Sequence, residues 1–405
     1  EKGDREGVLA EVTSEAGLNT DTPRVALEKR VGKIWSRLVI GPDLTQTIPL
    51  DSNSELSRPG VKLHGAGFII SEKEASRFRS IEDANVENYI FPYRNGRDLS
   101  SKPRGAFVID AYPLGKEELL CKFPSLYSFL LENVKPERDQ NRDSDIRSRW
   151  WQFGRVRPEF RDMVFGLSRY ISTIETSKHR FFEFMSASIR PDNKLINIGS
   201  GAGYVEAVLS SRLHVSWAIA TGAWMGVGND PVYAKTSTFD PFPFPLCCAP
   251  LDREKDPALQ AQADRLAELG ERLDAFRKER LAEHDFLTMT GLYNVLERLR
   301  ELENGCNVPP LTEKEKAIHD AGLVSVLKEI HDDIDRAVFE AYGWLDLAAE
   351  LVGKPGATMP STHKSAAQEA AEEELLTRLV ALNQERAAEE KRGIVRWLRP
   401  DYQIP

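Results

Sequence analysis

The run FDPFPFP, Phe239 to Pro245, marks the point where the pattern of this sequence changes, and that change decides the fold class. Its alternating prolines fix φ and remove backbone donors, so no regular element passes through it. Downstream, Asp256-Pro257 supplies an N-cap and a first turn, and Leu259, Ala263, Leu266, Leu269, Leu273 and Phe276 recur at helical spacing. A further helix starts at the capping box Thr312-x-x-Glu315 and places Leu323, Leu327, Ile330, Ile334 and Val338 along one stripe. A last helix, carrying Leu375, Leu379 and Leu382, stops near Gly393, and GKPGATMPSTHKS, Gly353 to Ser365, reads as a linker within the bundle. Upstream, from Asn88 to Pro245, the runs GAFVIDAY, RYISTIET, FFEFM and KLINIG are short, apolar and separated by Pro, Gly and charged loops, which predicts mixed α/β structure. The first 87 residues read as a partly irregular lead-in, in which SRPGVKLHGAGFII is a loop entering a strand. The expected class is α+β: a lead-in over 1–87, a mixed α/β domain over 88–246 and a helical bundle over 247–405.

A chain of 405 residues with 41% apolar and 29% charged residues is long and apolar enough for two or three domains. No apolar run approaches the roughly 20 residues of a membrane helix, and EKGDREGV lacks the features of a secretory signal, so a cytoplasmic setting is expected. Cys121, Cys247, Cys248 and Cys306 have no zinc-site spacing and are expected to be reduced and structural. The start on Glu1 and the polar stretch behind it suggest a piece of a longer polypeptide. A net charge of -9 argues against nucleic acid until its distribution is considered. From Phe91 to Arg190 there are 18 Lys and Arg against 13 Asp and Glu, a surplus of 5, so the rest of the chain carries -14.

Within that basic middle, Lys135 to Arg161 holds eight basic residues and the pair Trp150-Trp151, with Asn and Gln among them. Arg and Lys suit phosphates and guanine, Asn and Gln suit adenine, and rings pack on sugars or bases. Five acidic residues dilute the run, so a solvated charged loop with a structural Trp pair is equally open. ETSKHRFF adds Lys178, His179 and Arg180 after an expected strand. KLINIGSGAGYVEAVL imitates a strand, glycine turn and helix for a cofactor, yet Asn197 and Ile198 stand where an acidic residue belongs, so a structural turn is the expected reading. FDPFPFP imitates an Asp/Asn-Pro-Pro-aromatic loop with the wrong spacing and reads as a packed exit from a strand. HGAG, His64 to Gly67, has no G-x-S-x-G partner and reads as a turn. His319, His331, Asp332, Asp333 and Asp335 read as solvated charge on a helix, not as a metal site.

Taken in order, VKLHGAGF, FPYRNGRDL, VKPERDQNR, WWQFGR, RYISTIETSKH, LSSRLHVSWA and FDPFPFP resemble the target-recognition regions of class I adenine-specific (N6) DNA methyltransferases, including single-chain restriction-modification enzymes of the type IIL/IIG kind. LTMTGLYNVLERLR, GLVSVLKEIHDDIDRAVFEAYGW and VALNQERAAEEKRGIVRWLRP resemble the helical ending of the same family, so the resemblance runs from about Gly32 to the end. It implies a catalytic domain upstream in the parent chain, holding S-adenosylmethionine and an Asn-Pro-Pro-aromatic loop, with no cofactor and no methyl-transfer residue in this chain. It also implies that the middle of the chain holds the DNA sequence around the target base, and the reading adopted is that 88–246 binds duplex DNA while the helical part is expected to brace it and grip the backbone. NIGSGAGYVEAVLSSR departs from the more polar stretch of family members, which bears on base choice. The expected DNA contacts are Arg94, Arg97, Arg142, Arg147, Arg149, Arg155, Lys178, Arg180 and Arg212, with Trp150 and Tyr204 as packing or base-facing rings. Two rival readings are a free-standing S-adenosylmethionine-dependent methyltransferase using the Ile196 to Tyr204 turn, and an interaction subunit of a phage-defence complex docking through the tail helices.

Overall fold

The computed structural model describes residues 7–17, 24–32, 42–225 and 230–404. The chain opens with an antiparallel hairpin, β1 (Gly7–Ala16) and β2 (Arg24–Gly32). It continues through β3 (Ser57–Pro59), β4 (Ile69–Ile70), α1 (Glu72–Ile81), β5 (Ile90–Arg94), α2 (Gly96–Ser100) and β6 (Phe107–Ile109). Five helices follow: α3 (Lys116–Lys122), α4 (Pro124–Asn133), α5 (Lys135–Asp139), α6 (Ser144–Ser148) and α7 (Pro158–Val164). Next come β7 (Arg169–Ile174), β8 (Glu183–Ser186), β9 (Arg190–Pro191), β10 (Leu195–Ile198), α8 (Gly203–Ser210), α9 (Arg212–Thr221), β11 (Ala223–Met225) and β12 (Asp230–Val232). The remainder is helical: α10 (Pro250–Arg253), α11 (Pro257–Glu283), α12 (Met289–Glu303), α13 (Glu313–Gly322), α14 (Val324–Tyr342), α15 (Leu345–Leu351), α16 (Ala366–Glu390) and α17 (Pro400–Gln403). The class is α+β, as the sequence predicts. No helix among the described residues is long and apolar enough to cross a membrane.

Two four-stranded sheets organise the middle, in the orders β4-β6-β5-β9 and β3-β10-β7-β8. The second is antiparallel throughout, with β10 lying between β3 and β7. The first packs on α1 and α4 around Phe68, Val86, Val108, Leu126, Leu130 and Phe153. The second is covered by α8, α9 and the helical tail, in one core that runs from Leu56 through Ile171, Ile198 and Phe242 to Leu266, Ile334, Leu375 and Leu398. The packing therefore does not break at residue 246. The aromatics of FDPFPFP bind the two regions together: Phe239 and Phe242 are buried, and the His214 and Phe242 rings stand 4.3 Å apart. The Asn53 amide donates to the carbonyls of Phe239, Asp240 and Phe242 at 3.1, 3.0 and 2.7 Å. Residues 50–87 are likewise no irregular lead-in, because Leu50, Leu56, Val61, Phe68 and Ile70 all lie in the core.

The helix starts follow local chemistry. Asp256 caps α11 by accepting from the Ala258 amide at 2.9 Å, and Thr312 and Glu315 form the reciprocal box at the start of α13. The stripe expected on one helix is divided between two, because Leu323 takes a left-handed conformation with φ 45. The reason is contact: a Cβ on Gly322 would stand 2.3 Å from Leu292, so α13 ends where it meets α12 and the chain turns before α14. Leu327, Ile330, Ile334 and Val338 are fully buried, as their spacing requires.

Two expectations for the tail are corrected. His331, Asp332 and Asp335 are buried, not solvated. Arg300, also buried, pairs with Asp332 at 3.1 Å and Glu297 at 3.2 Å, while His331 accepts from or donates to the Tyr293 hydroxyl at 2.9 Å. Within the stretch 353–365, Pro355 to Thr358 are buried and are not a loose connection. Glu297 accepts from the amides of Gly356 and Thr358 at 2.8 and 3.0 Å, leaving that segment little freedom.

Helices α8 and α11 cross with backbones in contact. A Cβ on Gly270 would lie 2.2 Å from the Gly203 carbonyl oxygen, and one on Gly203 2.5 Å from that of Ala267. Gly270→Ala must push two helices apart and is expected to cost about 1–3 kcal/mol by overpacking. Urea denaturation measures it, and a loss under about 0.5 kcal/mol, the range of a neutral surface change, would show that the crossing is loose.

Candidate nucleic-acid interface

The cations expected at a DNA surface separate into three groups. Arg97, in the first turn of α2, is exposed, and its side chain has no partner among the described residues. Arg142 and Arg155 are exposed in the same way. Lys178 is exposed in the loop after β7, its ammonium donating to the Asn294 side-chain oxygen Oδ1 at 2.6 Å. These four are available to an external anion.

A second group is engaged locally. Arg94 lies 3.7 Å from Glu183, whose carboxyl burial pushes up. Arg147 donates to the carbonyls of Asn141 and Arg142 at 2.5 and 3.1 Å, holding the turn before α6. Arg149 forks onto Asp145 one helical turn away, at the surface, where such a pair exchanges readily with other anions.

The third group is taken up in the protein's own packing, and these assignments are corrected. Arg180 donates to Thr173 and Pro231 at 3.0 and 3.1 Å and to the Ile174 carbonyl, and burial lowers its pKa to about 10. Arg212 donates to the carbonyls of Lys354 and Pro355 at 2.7 and 2.6 Å and to Glu372 at 3.0 Å. Trp150 packs between the rings of Tyr127 and Trp151, at 5.6 and 6.1 Å. Tyr204 is half-buried under the Arg253 guanidinium, 4.3 Å above its ring. All four hold the protein together, since a buried polar group needs its partner and a buried ring needs its neighbours.

Sequence reasoning missed a contributor to the exposed group. Lys62 and Arg155 face each other across a two-residue antiparallel bridge, their backbones exchanging hydrogen bonds at 3.1 Å each way. The His64 ring beside them is held below its ordinary pKa by burial first, and then by Lys62, Arg138 and Arg155, with Asp143 opposing. The local field is therefore positive. Nothing in VKLHGAG points to Lys62, because its partner comes from a distant part of the chain.

The glycine turn after β10 is accounted for by packing. A Cβ on Gly199 would stand 2.4 Å from Met163, and Arg169 donates to the Gly201 carbonyl at 3.1 and 2.8 Å. The antiparallel neighbours of β10 also differ from the parallel crossover on which a dinucleotide turn is built.

Two four-stranded sheets, one antiparallel throughout and one mixed, are braced by a helical bundle and carry exposed cations around them, which defines a mixed α+β module whose chemistry suits an anionic partner. No protein-family model matches the sequence, and no curated protein is similar to it. Among solved structures the chain is similar to the type IIL restriction-modification enzyme MmeI, determined in complex with DNA, with a TM-score of 0.58 and 16% identity over 95% of this chain. The chain therefore has the fold of part of a restriction-modification enzyme, and it spans 42% of the length of that neighbour.

Proposed function

We propose that this chain recognises a sequence in duplex DNA as the target-recognition and C-terminal helical part of a site-specific adenine-N6 DNA methyltransferase, of the restriction-modification kind, in cytoplasmic phage defence. The observation that carries this reading is the fold shared along 95% of the chain with an enzyme solved in complex with DNA. The exposed Arg97, Arg142, Arg155 and Lys178, with Lys62, supply phosphate contacts that position the duplex, and polar side chains beside them read base edges. S-adenosylmethionine and the loop that grips the flipped adenine belong to the catalytic domain upstream in the parent chain.

Two observations weigh against the rival readings. The glycines of the 196–204 turn are occupied by protein contacts, which leaves a free-standing methyltransferase without a cofactor loop. The apolar stripe of α14 is fully buried, which removes it from use as a docking face. Titration of labelled duplexes over a range of salt concentrations is expected to give binding whose log affinity falls with log salt by about 0.9 per phosphate contact. Calorimetry with S-adenosylmethionine is expected to give no heat. Failure to bind any duplex, or cofactor binding without DNA binding, would sink the reading.

A further inference from the structure

A cleft of about 560 Å³ opens between the loop after β7 and the N-terminal ends of α12 and α13. Lys178 enters it from the sheet side, Arg298 from α12 and Lys314 from α13, with Thr290 and Asn294 between them and Phe286 on one wall. Lys314 is exposed, and its side chain has no partner among the described residues. Lys178 spends one donor on Asn294 at 2.6 Å and keeps the others. Among the described residues Arg298 makes long contacts, 3.4 Å to the Pro309 carbonyl and 3.6 Å to Glu301. One carboxylate lines the cleft, Glu315, and it is turned onto the Thr312 amide and hydroxyl at 2.8 Å each. Three cations against Glu315, engaged with Thr312, and Glu301, 3.6 Å from Arg298, leave the cleft with a surplus of positive charge, to which the positive ends of two helices add.

We propose that this cleft takes a backbone phosphate of the bound duplex, so that the helical bundle contacts DNA directly besides bracing the sheets. The inference rests on the reading of the chain as a DNA-binding module, and deepens it by extending the contact at Lys178 to Arg298 and Lys314 of the helical bundle. The chemistry fits: a phosphate accepts from several donors at once, Arg298 offers a planar fork, Lys178 and Lys314 offer point charges, and the 56% exposed Phe286 ring offers a surface for a deoxyribose. Position fits as well. The Thr290 hydroxyl donates to the Ser100 carbonyl at 3.2 Å, in the same short helix as the exposed Arg97, so that helix adjoins the element lining the cleft.

The test compares the wild-type chain with Lys314→Gln and with the double variant Arg298→Gln/Lys314→Gln, using fluorescence anisotropy of labelled duplexes over a range of salt. At physiological salt each lost phosphate contact corresponds to about fivefold in affinity, so the single variant is expected to lose about fivefold and the double about thirtyfold. The salt slope is expected to fall by about one per charge removed, equally for unrelated duplex sequences and with the melting temperature unchanged. Wild-type binding with unaltered affinity and slope in the double variant would overturn the inference while leaving the DNA-binding reading intact. Saturable binding of inorganic phosphate to wild type but not the double variant, with DNA affinity unaltered, would assign the cleft to a free anion and overturn it likewise. No duplex binding by the wild type would overturn both.

Discussion

Arg277→Met is expected to cost about 3–5 kcal/mol of folding stability, more at pH 8 than at pH 6. Arg277 is buried in α11 and joins three elements: it donates to the Tyr293 hydroxyl at 3.0 Å, the Phe182 carbonyl at 2.6 Å and the Glu206 carboxylate at 3.0 Å. Glu206 is itself fully buried, and burial holds its pKa up to about 7 against the attraction of Arg277. A carboxyl whose folded pKa lies above its unfolded value adds stability at low pH that is lost as pH rises through the interval between the two. Without Arg277 that folded value climbs further, so the loss extends to higher pH and the gap from wild type widens between pH 6 and pH 8. Urea denaturation at both pH values measures it. A cost near 1 kcal/mol that does not vary with pH would show that water reaches Glu206 and that the pair is not buried in solution. Removing both partners, in Arg277→Met/Glu206→Leu, is expected to recover much of the loss, because two apolar side chains leave no unpaired charge.

Replacing Arg97, Arg142 and Arg155 together by Gln is expected to weaken duplex binding by about a hundredfold at physiological salt and to lower the salt slope by about three. Each is exposed and free of side-chain partners among the described residues, so no internal contact is lost and the melting temperature is expected to hold. The same substitutions at Arg180 and Arg212 are expected to unfold the protein instead, since these guanidiniums satisfy buried carbonyls. Unchanged affinity and slope in the triple variant would remove this surface from the DNA-binding reading.

The difference between those two sets was not visible in the sequence. Arg97 and Arg180 both follow apolar strands in polar, charged loops, and only the fold separates them. Arg180 turns back across its own sheet to Thr173, and Arg212 finds its carbonyls at Lys354 and Pro355, about a third of the chain away. Trp150 beside a run of arginines had the composition of a base-facing ring, but its place in the turn after α6 is set by Tyr127 on α4. The buried Asp332 and Asp335 misled for the same reason: a charged face reads as solvated until Arg300 and the Arg212 amide are found to meet it.

By itself the sequence determined the class of fold, four strands of the middle (β6, β7, β8 and β10), and tail-helix boundaries at Asp256, Thr312 and near Gly393. Those features depend on contacts within one or two turns, and spacing and capping chemistry record them directly. The tertiary structure alone decided which cations are free, that the middle and the tail share one core, and that Lys178, Arg298 and Lys314 converge on one cleft. Each of these depends on residues far apart in the chain arriving together. A burial cost or a local field is a property of that assembled neighbourhood and has no trace in any short stretch of residues.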